Sequence, residues 1–464
     1  MPGSSRCGLD IIPLMATEEA LPVDAESSPI RISCADSTRR RYVNSIETSS
    51  CPQNENCCSS QNTPSTSLVP IKKSAQASRF ITSIPCEILN DSTLNDIISR
   101  LPSNYNFEIH KSVWQVKKAG AQSIALQLPE GLQRYALILS DIHVKFAGCK
   151  DAIIMGDVTY GACCIDDYTA QLLGCDMIIH YGHSCLVPVT TTKIPVLYIF
   201  VEISIPPEPL VETLRTNFLG KKLALMSTVQ YVATLYAVKT ALDKQINMFI
   251  PQIKPLSPGE VLGCTAPRLP SDTDALVFVA DGRFHLEAAM IANPTIVAYR
   301  YDPFTQRVFE ESYDHPEMLR IRNSMIALAR NATSFGIILG TLGRQGNTLV
   351  LDDIIKKLEA AGKETMVFLM SEVRPSTLQQ YPDIQVWVQT SCPRLSIDWN
   401  YTFDIPLLTP YELNVALGIA QQFNETPDGS YPMDFYATGD TALISGPWAP
   451  GYNLRPPRKN KPIS

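Results

Sequence analysis

The sequence lacks the features of a membrane protein and of a general nucleic-acid binder. No apolar run approaches the roughly 18 residues that cross a bilayer, and the first residues are not followed by the regions of a signal peptide. Lys and Arg number 39 against 46 Asp and Glu, which gives a net charge of −7. A nucleic-acid binder needs a basic stripe to displace counterions from phosphates. We therefore expect a soluble, intracellular protein of the cytoplasm that binds neither a membrane nor nucleic acid directly.

Several common catalytic and metal motifs are also missing. The sequence contains no phosphate-binding P-loop and no serine nucleophile motif, and it has no close C-x-x-C pair of the kind that binds structural zinc. It does contain thirteen cysteines, which are many for a compartment that disfavours disulfides. Either most of these thiols are buried apolar groups, or some of them bind a metal.

Residues 1–75 are rich in Ser, Thr and Pro and show no sustained periodicity, so we expect a disordered tail whose thiols are incidental. Five cysteines belong to this tail: Cys7, Cys34, Cys51, Cys57 and Cys58. Three more lie among aliphatic residues and are expected to be buried or partly buried: Cys86, Cys149 and Cys175.

The remaining chain repeats one pattern three times, a helical stretch followed by a polar break and an aliphatic strand. The three strands begin near Ser123, Leu223 and Gly336, and each is followed by polar or glycine residues and a further helix. Alternating strands and helices indicate parallel sheets with helices on both faces. We predict an α/β fold of three homologous small domains with parallel sheets, residues 76–206, 207–316 and 317–464, around a pseudo-threefold central cluster site; the last domain includes a C-terminal extension.

Four cysteines lie at loops or strand ends without an aliphatic surrounding, and Cys185 is a fifth candidate. The four are Cys163, Cys164, Cys264 and Cys392. Because adjacent residues should point in different directions, we expect only one of the first two to bind a metal. One thiolate from each domain would suit a four-iron cluster with one open iron, and zinc is the competing metal. Repeat symmetry alone favours Cys185 as the counterpart of Cys392, since both follow a middle strand.

Four blocks of the sequence closely resemble a known enzyme family, the subunit 1 type of 2-(3-amino-3-carboxypropyl)histidine synthase. The resemblance runs from about residue 80 to the segments 431–436 and 446–448, and the four blocks are GDVTYGACCIDD at 156–167, HYGHSC at 180–185, GCT at 263–265 and SCPRLSIDW at 391–399. That family performs the first step of diphthamide synthesis.

The resemblance implies an unusual radical enzyme in which each homologous domain supplies one cysteine to a [4Fe–4S] cluster. By position these ligands are Cys163, Cys264 and Cys392. S-adenosylmethionine would meet the open iron, and its 3-amino-3-carboxypropyl group would pass to C2 of a histidine of elongation factor 2. The family's eukaryotic form is a heterodimer with a related second subunit, and it receives electrons from a small cysteine protein that binds iron or zinc.

Several other polar residues are candidates for this site, each with a structural role as the alternative. His183, and less strongly His180, could orient the substrate. Arg283 could pair with the carboxylate of S-adenosylmethionine or form a surface ion pair. Backbone N–H groups of a glycine loop could hold a carboxylate or a ribose; the loop comprises Gly343, Arg344, Gln345 and Gly346. Gln127 and Glu130 follow the matching strand of the first domain.

Two other functions compete with this hypothesis. A three-cysteine cluster enzyme resembling quinolinate synthase would use the open iron as a Lewis acid and no S-adenosylmethionine. A non-catalytic partner subunit would only support or reduce the active one. The Gly-Ala-Cys-Cys and Ser-Cys-Pro-Arg blocks favour the transferase, and the presence of all three cysteines favours the catalytic subunit.

Overall fold

The computed structural model describes residues 84–157, 160–187, 189, 191–425 and 429–437. The predicted tail of residues 1–75 and the segment after residue 437 lie outside the described residues. In the described part of the chain, no helix combines the length and the apolar character that crossing a membrane requires.

Three parallel sheets form the framework, one in each of the three units predicted from the repeats. The first sheet contains β2 (Ser123–Gln127), β3 (Asp151–Ile154), β4 (Met177–Tyr181) and β5 (Val196–Ile199). The second contains β7 (Lys222–Ser227), β8 (Asn247–Phe249), β9 (Ala275–Val279), β10 (Val297–Asp302) and β11 (Arg307–Glu311). The third contains β12 (Ser334–Gly340), β13 (Glu364–Met370), β14 (Val386–Gln389) and β15 (Leu407–Leu408). A small antiparallel pair of β1 (Tyr105–Asn106) and β6 (Glu202–Ile203) lies within the first unit, and Ile203 packs into the hydrophobic core of the second.

The three sheets share one strand order. Each places its second strand at an edge, then its first, third and fourth, as β3-β2-β4-β5, β8-β7-β9-β10 and β13-β12-β14-β15, and every one of these pairs is parallel. The second sheet adds β11, which pairs with β10 in the antiparallel direction. The predicted α/β fold with parallel sheets is therefore confirmed, and the repeat in the sequence is a repeat of topology.

Aliphatic composition explains why the central strands lie where they do. Every residue of β4, β9 and β14 is buried, because helices cover both faces of each sheet. The α-helices that cover the sheets or connect them are Cys86–Leu89, Ser92–Ile98, Ile109–Ala119, Ala136–Ile142, Asp167–Leu172, Glu208–Asn217, Val232–Leu242, Phe284–Ala292, His315–Asn331, Thr348–Ala360, Pro375–Leu378, Pro393–Asp398 and Pro410–Ala416.

A fully buried ion pair fixes the third unit internally. The Arg322 guanidinium makes two bonds to the Glu412 carboxylate, 2.6 Å from Nε to Oε1 and 2.5 Å from Nη2 to Oε2, and also donates to the carbonyls of Ser396 and Leu407. Glu412 also closes a capping box with Thr409 at the start of its helix. Because all these groups are paired, the buried charges join helix His315–Asn331 to β15 and to the helix that follows it.

Two expectations from the sequence need correction. Cys86 was expected to be at least partly buried among aliphatic neighbours, but it is exposed at the start of a four-residue helix, whereas Cys149 and Cys175 are buried. The sequence pattern also missed β8 and β11, the two edges of the second sheet, and β13 at one edge of the third. β13 does contain a continuous apolar run over residues 366–370, but each of its residues is exposed or only partly buried because the strand lies at the edge of the sheet.

Candidate functional site

The cysteine pair of the first unit lies in a tight turn between β3 and β4. Residues Ala162–Cys164 form a single 3₁₀ turn, closed by a bond of 2.9 Å from the Cys164 N–H to the Gly161 carbonyl. Cys164 is buried and Cys163 is partly buried. A helix then begins at Asp167, capped by the Asp166 carboxylate, which accepts from the Thr169 N–H.

Cys264 lies in the corresponding loop of the second unit, between β8 and β9. Leu262 and Thr265 exchange backbone hydrogen bonds of 3.0 and 3.1 Å and so fold the loop back on itself around the cysteine. Gly263 has no room for a side chain, since a Cβ atom there would lie 2.1 Å from the Phe284 ring. The close approach of this ring holds the Cys264 loop against the helix Phe284–Ala292.

Cys392 follows β14 in the third unit and occupies the position before the helix Pro393–Asp398. The Gln389 side chain donates from Nε2 to the Cys392 carbonyl at 2.9 Å and to Ser396 Oγ at 3.0 Å. These bonds connect the strand end to the helix and hold the backbone of Cys392 in place.

The structure brings thiols of all three units into one buried place. Burial raises the pKa of Cys264 to about 12 and that of Cys392 to about 11, and each thiol is also affected by a neighbouring one. The Cys163 thiol donates a hydrogen bond to Cys164, which raises the Cys163 pKa and lowers that of Cys164 to about 7. The charges of Cys264 and Cys392 also raise the pKa of Cys163. The two adjacent thiols therefore do not diverge, which corrects the expectation that they would.

This donor set fits a cluster better than a single ion. Among the described residues, no group of three His, Cys, Asp or Glu side chains has the arrangement that would hold one metal ion. In a four-iron cluster each thiolate binds a different iron, so three thiols can share a site without converging on one point. Soft sulfur donors favour iron–sulfur clusters, and in such a cluster the ligands can lie further apart than around a single ion.

Cys185, the alternative suggested by repeat symmetry, lies apart from these thiols. Its side chain is exposed, and the charged groups that act on it are Lys111 and Glu260. Glu260 itself is buried between the first two units, where it accepts hydrogen bonds from the Ser184 hydroxyl and the Ser257 N–H.

The predicted glycine loop of the third unit packs against the cysteine turn of the first. A Cβ atom on Gly343 would lie 2.5 Å from the carbonyl carbon of Cys164, and the Arg344 N–H donates to the Cys163 carbonyl at 2.9 Å. Gln345 Nε2 donates a hydrogen bond to Cys164 Sγ at 3.5 Å. The loop therefore positions the thiols, a role that the sequence analysis did not assign to it.

The Arg344 side chain adds further contacts between this loop and the first unit. Its guanidinium binds the Asp167 carboxylate through two bonds of 2.7 and 2.6 Å and stacks 4.2 Å from the centre of the Tyr168 ring. The paired guanidinium lowers the pKa of Asp167 against the opposing effect of burial. Gly346 packs closely as well, because a Cβ atom there would lie 2.2 Å from the Gly340 carbonyl oxygen.

A different arginine from the predicted one lies beside the thiols. Arg283 is half exposed and pairs with Glu287 at 2.8 Å and Glu311 at 3.2 Å. Arg394 is 3% exposed, binds Asp398 and Glu287, and donates to the Phe284 carbonyl at 2.8 Å. Its charge opposes the rise in pKa of both Cys264 and Cys392. The position of Arg394, two residues after Cys392, was the available signal in the sequence.

Gln127 and the two histidines of the first unit form a chain of hydrogen bonds that begins at the cysteine turn. Gln127 Nε2 donates to the Cys164 carbonyl at 2.7 Å, and Gln127 Oε1 lies 2.9 Å from His180 Nδ1. His180 Nε2 lies 3.2 Å from His183 Nδ1. Glu130, by contrast, is exposed at the start of a 3₁₀ helix.

The segment 431–437 covers the thiols, and sequence reasoning assigned it no role beyond the resemblance. Tyr436 is buried, and its pKa is raised well above the usual value by burial and by all four cysteines. Its N–H donates to Thr265 Oγ1 at 3.1 Å, and the Phe435 N–H donates to the Cys264 carbonyl at 3.2 Å. The aromatic spacing of this segment could have suggested a cover, but not its location.

Comparison with known proteins identifies the family. The family model described as "Putative diphthamide synthesis protein" matches residues 128–427. The chain belongs to the diphthamide synthesis family. Relatives named 2-(3-amino-3-carboxypropyl)histidine synthase subunit 1 are 51% identical in Eremothecium gossypii, over 79% of this chain and 86% of the relative, and 47% identical in Gallus gallus, over 87% and 97%. Membership assigns the chain an enzymatic role in diphthamide biosynthesis.

A solved structure of the same family gives independent support for the fold. Dph2 from Pyrococcus horikoshii with a 4Fe-4S cluster is 26% identical, with a TM-score of 0.59, over 74% of this chain and 97% of that one. That protein combines a similar fold with a 4Fe-4S cluster.

Proposed function

We propose that this chain is the catalytic subunit that performs the first step of diphthamide synthesis. It would transfer the 3-amino-3-carboxypropyl group of S-adenosylmethionine to C2 of a histidine of elongation factor 2, by a radical mechanism. A [4Fe–4S] cluster would be held by Cys163, Cys264 and Cys392. The observation that carries this proposal is the convergence of one thiol loop from each unit on a single buried place.

The bound cluster would supply the electron that cleaves the sulfonium, through the iron that no cysteine binds. The residues of the chain supply the rest of the site. Arg394 offsets the negative charge that thiolates would place in a buried setting. Tyr436 and Phe435 cover the Cys264 loop and restrict the access of water, which would protect a reactive intermediate.

The contacts of the glycine loop and of Arg283 change which residues should bind S-adenosylmethionine. Arg344 and Arg283 are engaged by carboxylates of the chain itself. Gln345 faces Cys164. We therefore assign Arg344 and Gln345 to positioning the cysteine turn and Arg283 to a surface ion pair. We place S-adenosylmethionine near the histidines of the first unit instead.

The partners also belong to this proposal. We propose a heterodimer with a related second synthase subunit, elongation factor 2 as the protein substrate, and a small cysteine protein as the electron donor. The subunit 1 name of the relatives supports a multi-subunit assembly. The relative in Schizosaccharomyces pombe, 49% identical over 87% of this chain, carries the same name.

The test is the product of S-adenosylmethionine breakdown, measured by mass spectrometry under anaerobic, reducing conditions with the partner subunit present. We expect methylthioadenosine together with aminobutyrate or homoserine-derived products. The Cys264→Ser variant should lose this activity, whereas Cys175→Ser, which changes a buried thiol outside the site, should retain it.

Two outcomes would contradict the proposal. Formation of 5′-deoxyadenosine would identify an ordinary radical enzyme that breaks a different C–S bond. No breakdown in a chain that carries an intact, reducible cluster would favour the Lewis-acid chemistry considered above.

A further inference from the structure

The hydrogen-bond chain from Cys164 to His183 has a fixed direction. A backbone carbonyl can only accept, so the Gln127 atom that faces Cys164 must be Nε2, which donates at 2.7 Å. The other end of the amide is then the oxygen Oε1, which can only accept. His180 Nδ1, 2.9 Å away, must therefore carry a proton.

The same logic extends through His180 to His183. His180 is fully buried, and burial together with the neighbouring His183 lowers its pKa well below the usual value, so the ring is neutral. With its single proton on Nδ1, His180 offers Nε2 as an acceptor. His183 Nδ1, 3.2 Å from this nitrogen, must then be the donor.

His183 is thus left with an unprotonated Nε2. Burial lowers the pKa of His183 to about 4, so this ring is neutral as well. Within the described residues, Nε2 has no hydrogen-bond partner, and the side chain is only partly buried. A second imidazole nitrogen close by, Nδ1 of His285, is buried without a partner, and His285 acts electrostatically on His183.

We propose that His183 Nε2 is a preset hydrogen-bond acceptor for the N–H of a neutral imidazole, the acceptor ring of the reaction, and that Gln127 and His180 are positioning residues that fix its tautomer. This inference rests on the proposed function for the identity of the ring. An acceptor on the ring N–H holds the imidazole neutral and fixes the direction in which C2 points. The unpaired nitrogens of His183 and His285 explain why a polar ring would be favoured there.

The tautomer can be measured without the cluster and without turnover. The chain contains six histidines, so long-range ¹H–¹⁵N spectra of protein labelled in histidine should show six resolvable rings. His143 provides an internal reference, because its Nδ1 lies 2.7 Å from the Leu139 carbonyl and must be protonated. We expect His183 to show the same Nδ1–H pattern as His143. An Nε2–H pattern at His183 in the unaltered protein would overturn the inference.

A substitution in the positioning residues supplies a second readout. In Gln127→Leu the His180 ring loses its acceptor, so the His183 pattern should shift toward Nε2–H while the pattern of His143 stays unchanged. An unchanged His183 pattern in a folded Gln127→Leu protein would contradict the role of Gln127. If this variant does not fold, the spectrum of the unaltered protein still tests the tautomer of His183.

Two small probes test the acceptor itself. 4-Methylimidazole has an N–H group, whereas 1-methylimidazole has the same size but no N–H. We expect 4-methylimidazole to move the His183 Nε2 resonance saturably and to bind about tenfold more tightly than 1-methylimidazole, the difference expected of one hydrogen bond. Equal responses to the two probes, or none to either, would overturn the inference. Neither result depends on cleavage of S-adenosylmethionine, so a failure here differs from a failure of the proposed function.

Discussion

The first two units and the third unit differ in where they place their cysteine, although their sheets have the same strand order. Cys163 and Cys264 both lie in the loop between the second and third strands of their unit. The corresponding loop of the third unit, residues 371–385, contains no cysteine, and Cys392 follows the third strand instead. The framework is therefore repeated three times, but the site built on it is not symmetric.

The third unit also contributes a second loop to the site. Its glycine loop extends to the cysteine turn of the first unit, where Gly343, Arg344 and Gln345 contact Cys163, Cys164 and Asp167. Neither of the other two units has a comparable loop in the sequence. The comparison teaches that repeated sheets fix where loops end, whereas individual side chains decide what those loops bind.

Replacing Arg394, which the third unit places beside Cys392, should have the largest effect on stability. Lysine cannot bind Glu287 and Asp398 together while donating to the Phe284 carbonyl. We expect Arg394→Lys to lower the free energy of unfolding by about 3 kcal/mol, the usual cost of breaking a buried pair. Denaturant unfolding followed by circular dichroism measures this value.

Arg283→Lys is the matched control for this substitution. Arg283 pairs with Glu287 as well but is half exposed, so its replacement should change the free energy of unfolding by less than about 1 kcal/mol. Equal effects of the two substitutions would contradict the central position of Arg394.

The joint between the first two units should respond to pH through Glu260. Burial raises the pKa of this carboxyl from 4.5 to about 7, so the folded state holds its proton at pH values where the unfolded chain has lost it. Its contribution to stability is therefore complete below pH 4.5 and falls as the pH rises to 7, by up to about 3 kcal/mol.

Glu260→Gln removes this dependence because glutamine does not titrate. The free energy of unfolding of the unaltered protein, minus that of the variant, should fall between pH 4.5 and 7.5 and stay level above it. A difference that rises with pH over this interval would show that the carboxylate is the stabilised form.

Adding a methyl group to the glycine loop should have a smaller effect. In Gly343→Ala the new Cβ meets the Cys164 backbone at 2.5 Å, and the residue has a φ of +56°. Gly362→Ala provides the control, since Gly362 has a φ of +68° and no atom within 4 Å of its Cβ position. We expect Gly343→Ala to cost about 1–3 kcal/mol more than Gly362→Ala in thermal unfolding. Equal costs would mean that the loop does not press on the cysteine turn.

The sequence predicted the framework well because aliphatic periodicity is a local property. The strands predicted to begin near residues 123, 223 and 336 lie at Ser123–Gln127, Lys222–Ser227 and Ser334–Gly340. The edge strand β13 was missed although residues 366–370 form a continuous apolar run, so the local signal was present in the sequence.

The contacts around the thiols could not be predicted in the same way, since they join residues far apart in the chain. Gln345 and Cys164 are 181 positions apart, and Arg394 and Glu287 are 107 apart. The glycine loop was noticed from its composition, but composition could not show that it faces a cysteine turn. Tyr436 covers the site from a segment whose aromatic spacing does not show where it packs.

The most direct test of the central claim is the iron and sulfide content of three single variants after anaerobic reconstitution: Cys163→Ser, Cys264→Ser and Cys392→Ser. If each unit supplies one thiol to a common [4Fe–4S] site, all three variants should lose most of the iron that the unaltered chain binds, while Cys185→Ser should bind the full amount. Full iron binding by any one of the three, or its loss in Cys185→Ser, would contradict a site built from one cysteine of each unit.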